Sequence, residues 1–212
     1  RRVLFRSVLE HLSRCIGIDR YHTLLHVEPE SIPVVSMALR YPLPCSREVV
    51  VNRRRLGCSQ NVFSALRHGF TMCEYVIFVE DDILLAPDAL LFFEHCREEY
   101  RHDKQVFTVS AYRRAIAPPE HYHRIIRQPW FTPWGWATWR DRFDDMSRRW
   151  DSVARVSWDC TVNTIRDKRL ELVPLFSRLQ NIGALGGTYC PGPEWHRQNQ
   201  FNEYWEIGRA HV

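Results

Sequence analysis

The stretch Tyr75-Val76-Ile77-Phe78-Val79-Glu80-Asp81-Asp82-Ile83-Leu84-Leu85 constrains this chain most. Five apolar residues, mostly β-branched or aromatic, run directly into three carboxylates. A continuous apolar run of this kind fits a strand covered on both faces, as in a parallel sheet layered with helices. In open α/β sheets, ligands gather beyond the carboxyl ends of the strands. Glu80, Asp81 and Asp82 therefore fall where chemistry is expected. Adjacent carboxylates repel one another and resist desolvation, and a hard divalent cation with oxygen ligands relieves both costs. A solvated acidic strand end would carry the same letters, so the triplet alone leaves both readings open. The next segment favours a site. Pro87 suits a first helical turn, and Ala89, Leu90, Phe92, Phe93, Cys96 and Tyr100 recur at helical spacing.

The segments before and after this strand alternate. A helix ends over 8–15 and is closed by Gly17. A strand over 21–27 runs into Glu28-Pro29-Glu30, and a short helix covers 32–39. Pro42 and Pro44 mark a loop, and a strand covers 48–52. Arg53-Arg54-Arg55 then faces phosphates or forms a solvated basic loop. A helix over 60–69, the strand 75–82, a helix over 87–101 and a strand over 106–111 follow. This order predicts an α/β domain with a mostly parallel central sheet and helices on both faces. The chain opens inside a helix, so at least one preceding strand is expected.

The two ends look foreign to the domain. Residues 1–7 can be encoded by AGA CGT GTG CTC TTC CGA TCT. The reverse complement, read after one extra G, encodes Glu-Ile-Gly-Arg-Ala-His-Val, which is residues 206–212. The string also resembles a short-read sequencing adapter, so residues 8–205 are taken as one partial domain. Arg1, Arg2 and Arg6 then leave the count, Glu206 and Arg209 cancel, and the formal charge of +4 falls to +1. A near-neutral chain removes the argument for nucleic acid as a partner. No apolar run is long enough to span a membrane. The seven cysteines are scattered without a Cys-x-x-Cys pair, which fits free thiols in a reducing compartment better than a zinc site. A cytoplasmic or membrane-peripheral location is expected.

Beyond Tyr112 the texture changes. His121-Tyr122-His123 has the spacing of two metal ligands on a strand but no third ligand nearby. Trp130, Trp134, Trp136 and Trp139 fall within ten residues. Their faces suit stacking on sugar rings or bases, although at least two are expected in an aromatic mini-core. Gly135 lets the backbone approach something closely. Ser157 is a candidate N-cap for a helix bearing Trp158, Val162 and Ile165 on one face. Asp159 lies in its first turn, where the helix dipole favours the ionised form. It is either a base or a stabiliser of the helix start. Gly186-Gly187 is a weak phosphate signal, and His196 is a surface, core or metal-binding histidine.

Taken together, these residues resemble a known family. Val79-Glu80-Asp81-Asp82, Leu85-Ala86-Pro87-Asp88, Val109-Ser110-Ala111, Trp158-Asp159, Phe176-Ser177-Arg178 and Asn181-Ile182-Gly183 look like the acetylglucosaminyltransferase-I type. Pro133-Trp134-Gly135-Trp136-Ala137-Thr138-Trp139-Arg140 is similar to bacterial family A glycosyltransferases. The resemblance runs from about residue 20 to 205. It implies a GT-A (nucleotide-diphospho-sugar transferase) fold lacking its first strand, and an inverting, metal-dependent sugar transfer. The implied cofactors are Mn²⁺ or Mg²⁺ and a nucleotide-sugar, UDP-linked. The implied acceptor is a glycan or other hydroxyl compound. It places Asp82 on the metal, Asp81 near the ribose, Glu80 near the donor sugar and Asp159 as the base. Glu28 and Asn61 fall at the nucleotide pocket, and Trp134, Gly135 and Trp136 at the substrate. Where the family has a second acid after Trp-Asp, this chain has Cys160. Where some relatives have a His in the Gly-Gly-Thr loop, it has Tyr189, which makes His196 the candidate further metal ligand.

Two other classes compete. A metal-dependent phosphohydrolase would use the same acids, but two-metal hydrolases need more converging carboxylates or histidines. A carbohydrate-binding module would rest on the tryptophans alone.

Overall fold

The computed structural model describes residues 2–114, 118–153, 157–185 and 193–194. The first half of the chain alternates as its hydrophobic pattern requires. It forms α1 (Arg2–Leu12), β1 (His22–Val27), α2 (Ile32–Arg40), β2 (Ser46–Val51) and α3 (Cys58–Met72). Then come β3 (Tyr75–Phe78), β4 (Ile83–Leu85), α4 (Ala89–Tyr100) and β5 (Val106–Ser110). The second half supplies β6 (Ile125–Gln128), β7 (Trp136–Trp139), α5 (Arg140–Val153), α6 (Trp158–Arg166), β8 (Leu170–Pro174) and β9 (Leu179–Asn181).

The class is α/β, but the central sheet is not mostly parallel. Its strand order is β3-β7-β5-β8-β6, and β5 with β8 is its one parallel pairing. The reason lies in β7. Its Trp-rich sequence reads as a ligand-facing loop, yet it forms a strand that inserts between β3 and β5 and runs antiparallel to both. β3 and β5 keep the common direction that strand–helix–strand alternation predicts. β1 and β2 do pair in parallel, as a separate two-stranded sheet.

The strand expected over 75–82 stops at Phe78. Glu80, Asp81 and Asp82 lie in a turn, with Ile83 N–H donating to Glu80 O at 3.3 Å. β3 is an edge strand of its sheet, and its four residues are only half-buried, not covered on both faces. The helix expected over 60–69 runs on through Gly69. A Cβ there would stand 3.1 Å from Val76 Cγ2, so the glycine lets α3 lie close on β3. α1 continues back to residue 2 because Leu4 and Phe5 extend its apolar stripe, and both are buried. Phe5 packs with Leu9, Val27 and Ala38.

Helices cover both faces of the central sheet. On one, Leu90, Phe93 and Cys96 of α4 pack on Val106, Val109, Ala137 and Leu172. On the other, α3, α5 and α6 enclose Phe107 and Trp136 with Leu66, Phe70, Met146, Trp150 and Ile165. Each buried Val, Leu, Ile, Phe or Met side chain among these stabilises the fold by about 1.5–3 kcal/mol. One carboxylate lies inside this sheet. Glu171 is fully buried, accepting hydrogen bonds from Thr108 Oγ1 at 2.8 Å and Gln128 Nε2 at 2.9 Å. Burial pushes its carboxyl up to about 7. Among the described residues, no helix is long and apolar enough to cross a membrane, and no cysteine is in a disulfide.

Candidate active site

The site is assembled where the turn after β3 meets the starts of α3 and α6. Aromatic packing decides the meeting. Trp158, the first residue of α6, packs edge-on against Phe78 at 5.8 Å and stacks with Trp136 at 6.1 Å. Phe131 closes the cluster at 5.9 Å from Trp158. Phe78 is two residues before Glu80, and Trp158 is one before Asp159. Locking these two rings therefore carries Asp159 to the acidic turn. The electrostatics register the approach. Burial, then repulsion from Asp82, Asp81 and Asp159, pushes the Glu80 carboxyl up to about 8. Glu80 thus lies within electrostatic range of Asp81, Asp82 and Asp159.

Asp82 is held from the far side by β9, which pairs antiparallel with β4. Ile182 N–H donates to Asp82 O at 2.8 Å. The Asn181 side chain hydrogen-bonds the Asp82 carboxylate, while its own Oδ1 accepts from Gly183 N at 2.7 Å. A Cβ on Gly183 would lie 2.5 Å from Asp82 Oδ2, so only glycine leaves that carboxylate its place. Burial, followed by repulsion from Asp81, pushes Asp82 up to about 6. Its Oδ1 is buried with no hydrogen-bond partner. An unpartnered buried carboxylate oxygen beside further acids fits a hard cation. Among the described residues, no three His, Cys, Asp or Glu side chains come together to hold a metal. His196, Tyr189 and the Gly186-Gly187 pair lie outside the described residues.

Asp159 occupies the first turn of α6, as expected, but Ser157 does not cap by its side chain. Its hydroxyl donates instead to Asp159 Oδ1, while Ser157 O accepts from Thr161 N at 3.0 Å. The serine thus orients the carboxylate.

Glu28 and Asn61 do come together, through Asn52. Asn52 Nδ2 donates to Glu28 Oε2 at 3.1 Å and to Asn61 Oδ1 at 2.7 Å. Glu28 also accepts from Leu56 N at 3.0 Å and Gly57 N at 2.9 Å. Its carboxylate is committed to clamping the loop before α3. Sequence reasoning omits Asn52 and also Cys58, the first residue of α3. The Cys58 thiol is pushed up to about 11, by burial and then by Glu80, with Asp159 and Asp81 adding to it. Its visible signal was a helix start just beyond a strand end.

The Trp-rich segment is corrected most. Trp136 is 0 % exposed, its ring packed with Phe78, Phe131 and Trp158, so it does not face a ligand. Gly135 adopts φ 50°, and its close approach is to Leu179: a Cβ would stand 2.4 Å from Leu179 Cδ2. Trp134 is half-buried, edge-on to Tyr112 at 4.8 Å. Trp139 is buried and Trp130 is exposed.

Neither a protein-family model nor a curated protein matches this chain.

Proposed function

We propose that the chain is an inverting, metal-dependent glycosyltransferase domain of the GT-A type, moving a sugar from a nucleotide-sugar to an acceptor hydroxyl. The observation that carries this reading is the approach of Asp159 to Glu80 in the acidic turn, brought about by the packing of Trp158 on Phe78. An inverting transfer needs one carboxylate base and no second nucleophilic carboxylate. Asp159 is the base. The Ser157 hydroxyl fixes its direction. Asp82 would hold Mn²⁺ or Mg²⁺ together with the donor phosphates, with Asp81 near the ribose. When bound, the cation neutralises charge growing on the departing diphosphate. Glu80, whose carboxyl is pushed up by burial and by the neighbouring acids, lies near the donor sugar.

The test compares UDP-sugar transfer and hydrolysis with Mn²⁺ present and chelated, in the wild type and in Asp82→Asn. Metal-dependent turnover of the nucleotide-sugar, lost in the variant, supports the reading. Hydrolysis of phosphate esters without sugar transfer would replace it with a phosphohydrolase. Glycan binding indifferent to metal would replace it with a binding module.

A further inference from the structure

Of the four tryptophans between 130 and 139, Trp130 alone is exposed, at 53 %. A ring of that size left in water forgoes the burial that Trp136 and Trp139 gain. The backbone that carries it is nevertheless braced on both sides. Gln128 Nε2 donates to Thr132 Oγ1 at 2.9 Å across the base of the loop. Arg166 Nη2 donates to Pro129 O at 2.6 Å, and Phe131 N donates to Asn163 Oδ1 at 3.0 Å. The Phe131 ring is buried against Trp136 and Trp158.

These braces fix where the exposed ring stands. Asp159, Asn163 and Arg166 are spaced i, i+4 and i+7 on α6, so they lie along one face of that helix. Segment 129–131 is tied to two of the three and therefore runs beside the face that carries Asp159. Residues four apart on a helix have Cβ atoms about 5–6 Å from each other. The peptide between Trp130 and Phe131 is thus held one helical turn from Asp159.

The Asn163 amide is oriented as well as exposed. Its Oδ1 accepts both from Phe131 N and from Arg166 Nε at 3.2 Å, which leaves Nδ2 as the donor end. That Nδ2 donates to none of the described residues. An indole face beside an unused amide donor and a carboxylate matches a saccharide. The C–H groups of one sugar face lie on the ring, and the hydroxyls bond the polar groups. A protein interface centred on tryptophan is apolar and closely packed, whereas an amide and a carboxylate stand next to this loop.

We propose that Trp130 and Asn163 form an acceptor subsite that selects a saccharide, with its apolar face on Trp130, one hydroxyl on Asn163 Nδ2 and the reacting hydroxyl turned toward Asp159. The inference rests on the glycosyltransferase reading and narrows its acceptor from any hydroxyl compound to a sugar. In the transfer, the acceptor oxygen bonds the anomeric carbon as that carbon's bond to the diphosphate breaks, and the hydroxyl proton passes to Asp159.

The experiment is saturation-transfer NMR on the whole chain, with the methyl β-glycosides of galactose, glucose and N-acetylglucosamine as probes. Calorimetry with UDP plus Mn²⁺ runs in parallel. The variants are Trp130→Ala, Trp130→Phe and Asn163→Asp, the last of which keeps the acceptor for Phe131 N and removes the Nδ2 donor. A matching melting curve verifies that each is folded. At least one glycoside is expected to receive saturation on the C–H protons of one ring face. Its affinity is expected to fall about tenfold in Trp130→Ala, to survive largely in Trp130→Phe and to weaken in Asn163→Asp, with UDP affinity unchanged throughout. Equal glycoside affinity in Trp130→Ala and the wild type would overturn the proposal. Binding of UDP with Mn²⁺ but of no glycoside would also overturn it, and would leave the glycosyltransferase reading with an acceptor of another class. Glycoside binding that depends on Trp130 in a chain that binds neither Mn²⁺ nor UDP would sink the glycosyltransferase reading and with it the acceptor role, leaving a sugar-binding module. Self-association of the wild type that Trp130→Ala abolishes, with no glycoside bound, would make the ring a protein contact and overturn the proposal.

Discussion

At Asp82 the deciding contact is an atom that is not there. Gly183 leaves the space a Cβ would fill 2.5 Å from Asp82 Oδ2. Gly183→Ala is therefore expected to turn the carboxylate aside and weaken Mn²⁺ binding, with the melting point almost unchanged. Isothermal titration with Mn²⁺ checks this, and equal affinity would separate Asp82 from the metal role. Asp159 was visible from sequence with two meanings, base or helix stabiliser. Its place beside Glu80 was not visible, because nothing local reports a contact across that much chain. Asp159→Asn keeps the shape but removes the proton acceptor. Transfer is expected to fall by about 10²-fold or more, with donor affinity little changed. A stabiliser alone would instead lose about 1 kcal/mol of stability and keep near-normal turnover.

Among the elements, β7 shows how tertiary packing overrides a local reading. Four tryptophans in ten residues suggest a binding surface with at least two of the rings in an aromatic core, and Trp136 and Trp139 are the core pair. The alternation of a strand is hard to see when both of its faces are apolar. β7 is covered by α4 on one side and by α3, α5 and α6 on the other, so every position tolerates an apolar residue. Gly135 precedes this strand at φ 50°, and its carbonyl accepts from Ala111 N at 2.9 Å. Gly135→Ala combines left-handed strain with a clash on buried Leu179. It is expected to cost about 1–3 kcal/mol, read as a lowered melting point. Because Leu179 opens β9, which carries Asn181, Mn²⁺ affinity should fall as well.

For the molecule as a whole, buried acids set the pH dependence. Glu171 moves from 4.5 in an ordinary environment to about 7, so the folded chain binds its proton more tightly than the unfolded chain. Its contribution is full below about pH 4.5 and is lost as pH rises through about 7. The magnitude is on the order of 3 kcal/mol. Glu80 and Asp82 shift in the same direction, to about 8 and about 6. Stability without metal is expected to decline from pH 5 to 8 by denaturant titration. Glu171→Gln should flatten the decline, since an amide can satisfy Thr108 and Gln128 without a proton to lose. Added Mn²⁺ should stabilise more at higher pH, because Asp82 must be deprotonated to bind it.

The sequence by itself determined the alternation of the first half, the α/β class and the identity of the acids. These follow from local properties: apolar periodicity, turn residues, and carboxylates at the end of an apolar run. Tertiary structure decided what is shared between distant segments. The strand order depends on where β7 inserts, and no local pattern encodes its neighbours. Asp159 meets Glu80 because Trp158, Phe78 and Trp136 bury their rings together. Glu28 and Glu171 look alike as letters, but one clamps a loop and the other is fully buried inside a sheet. Burial and partners set the proton affinity of a carboxylate, and both exist only once the chain has folded.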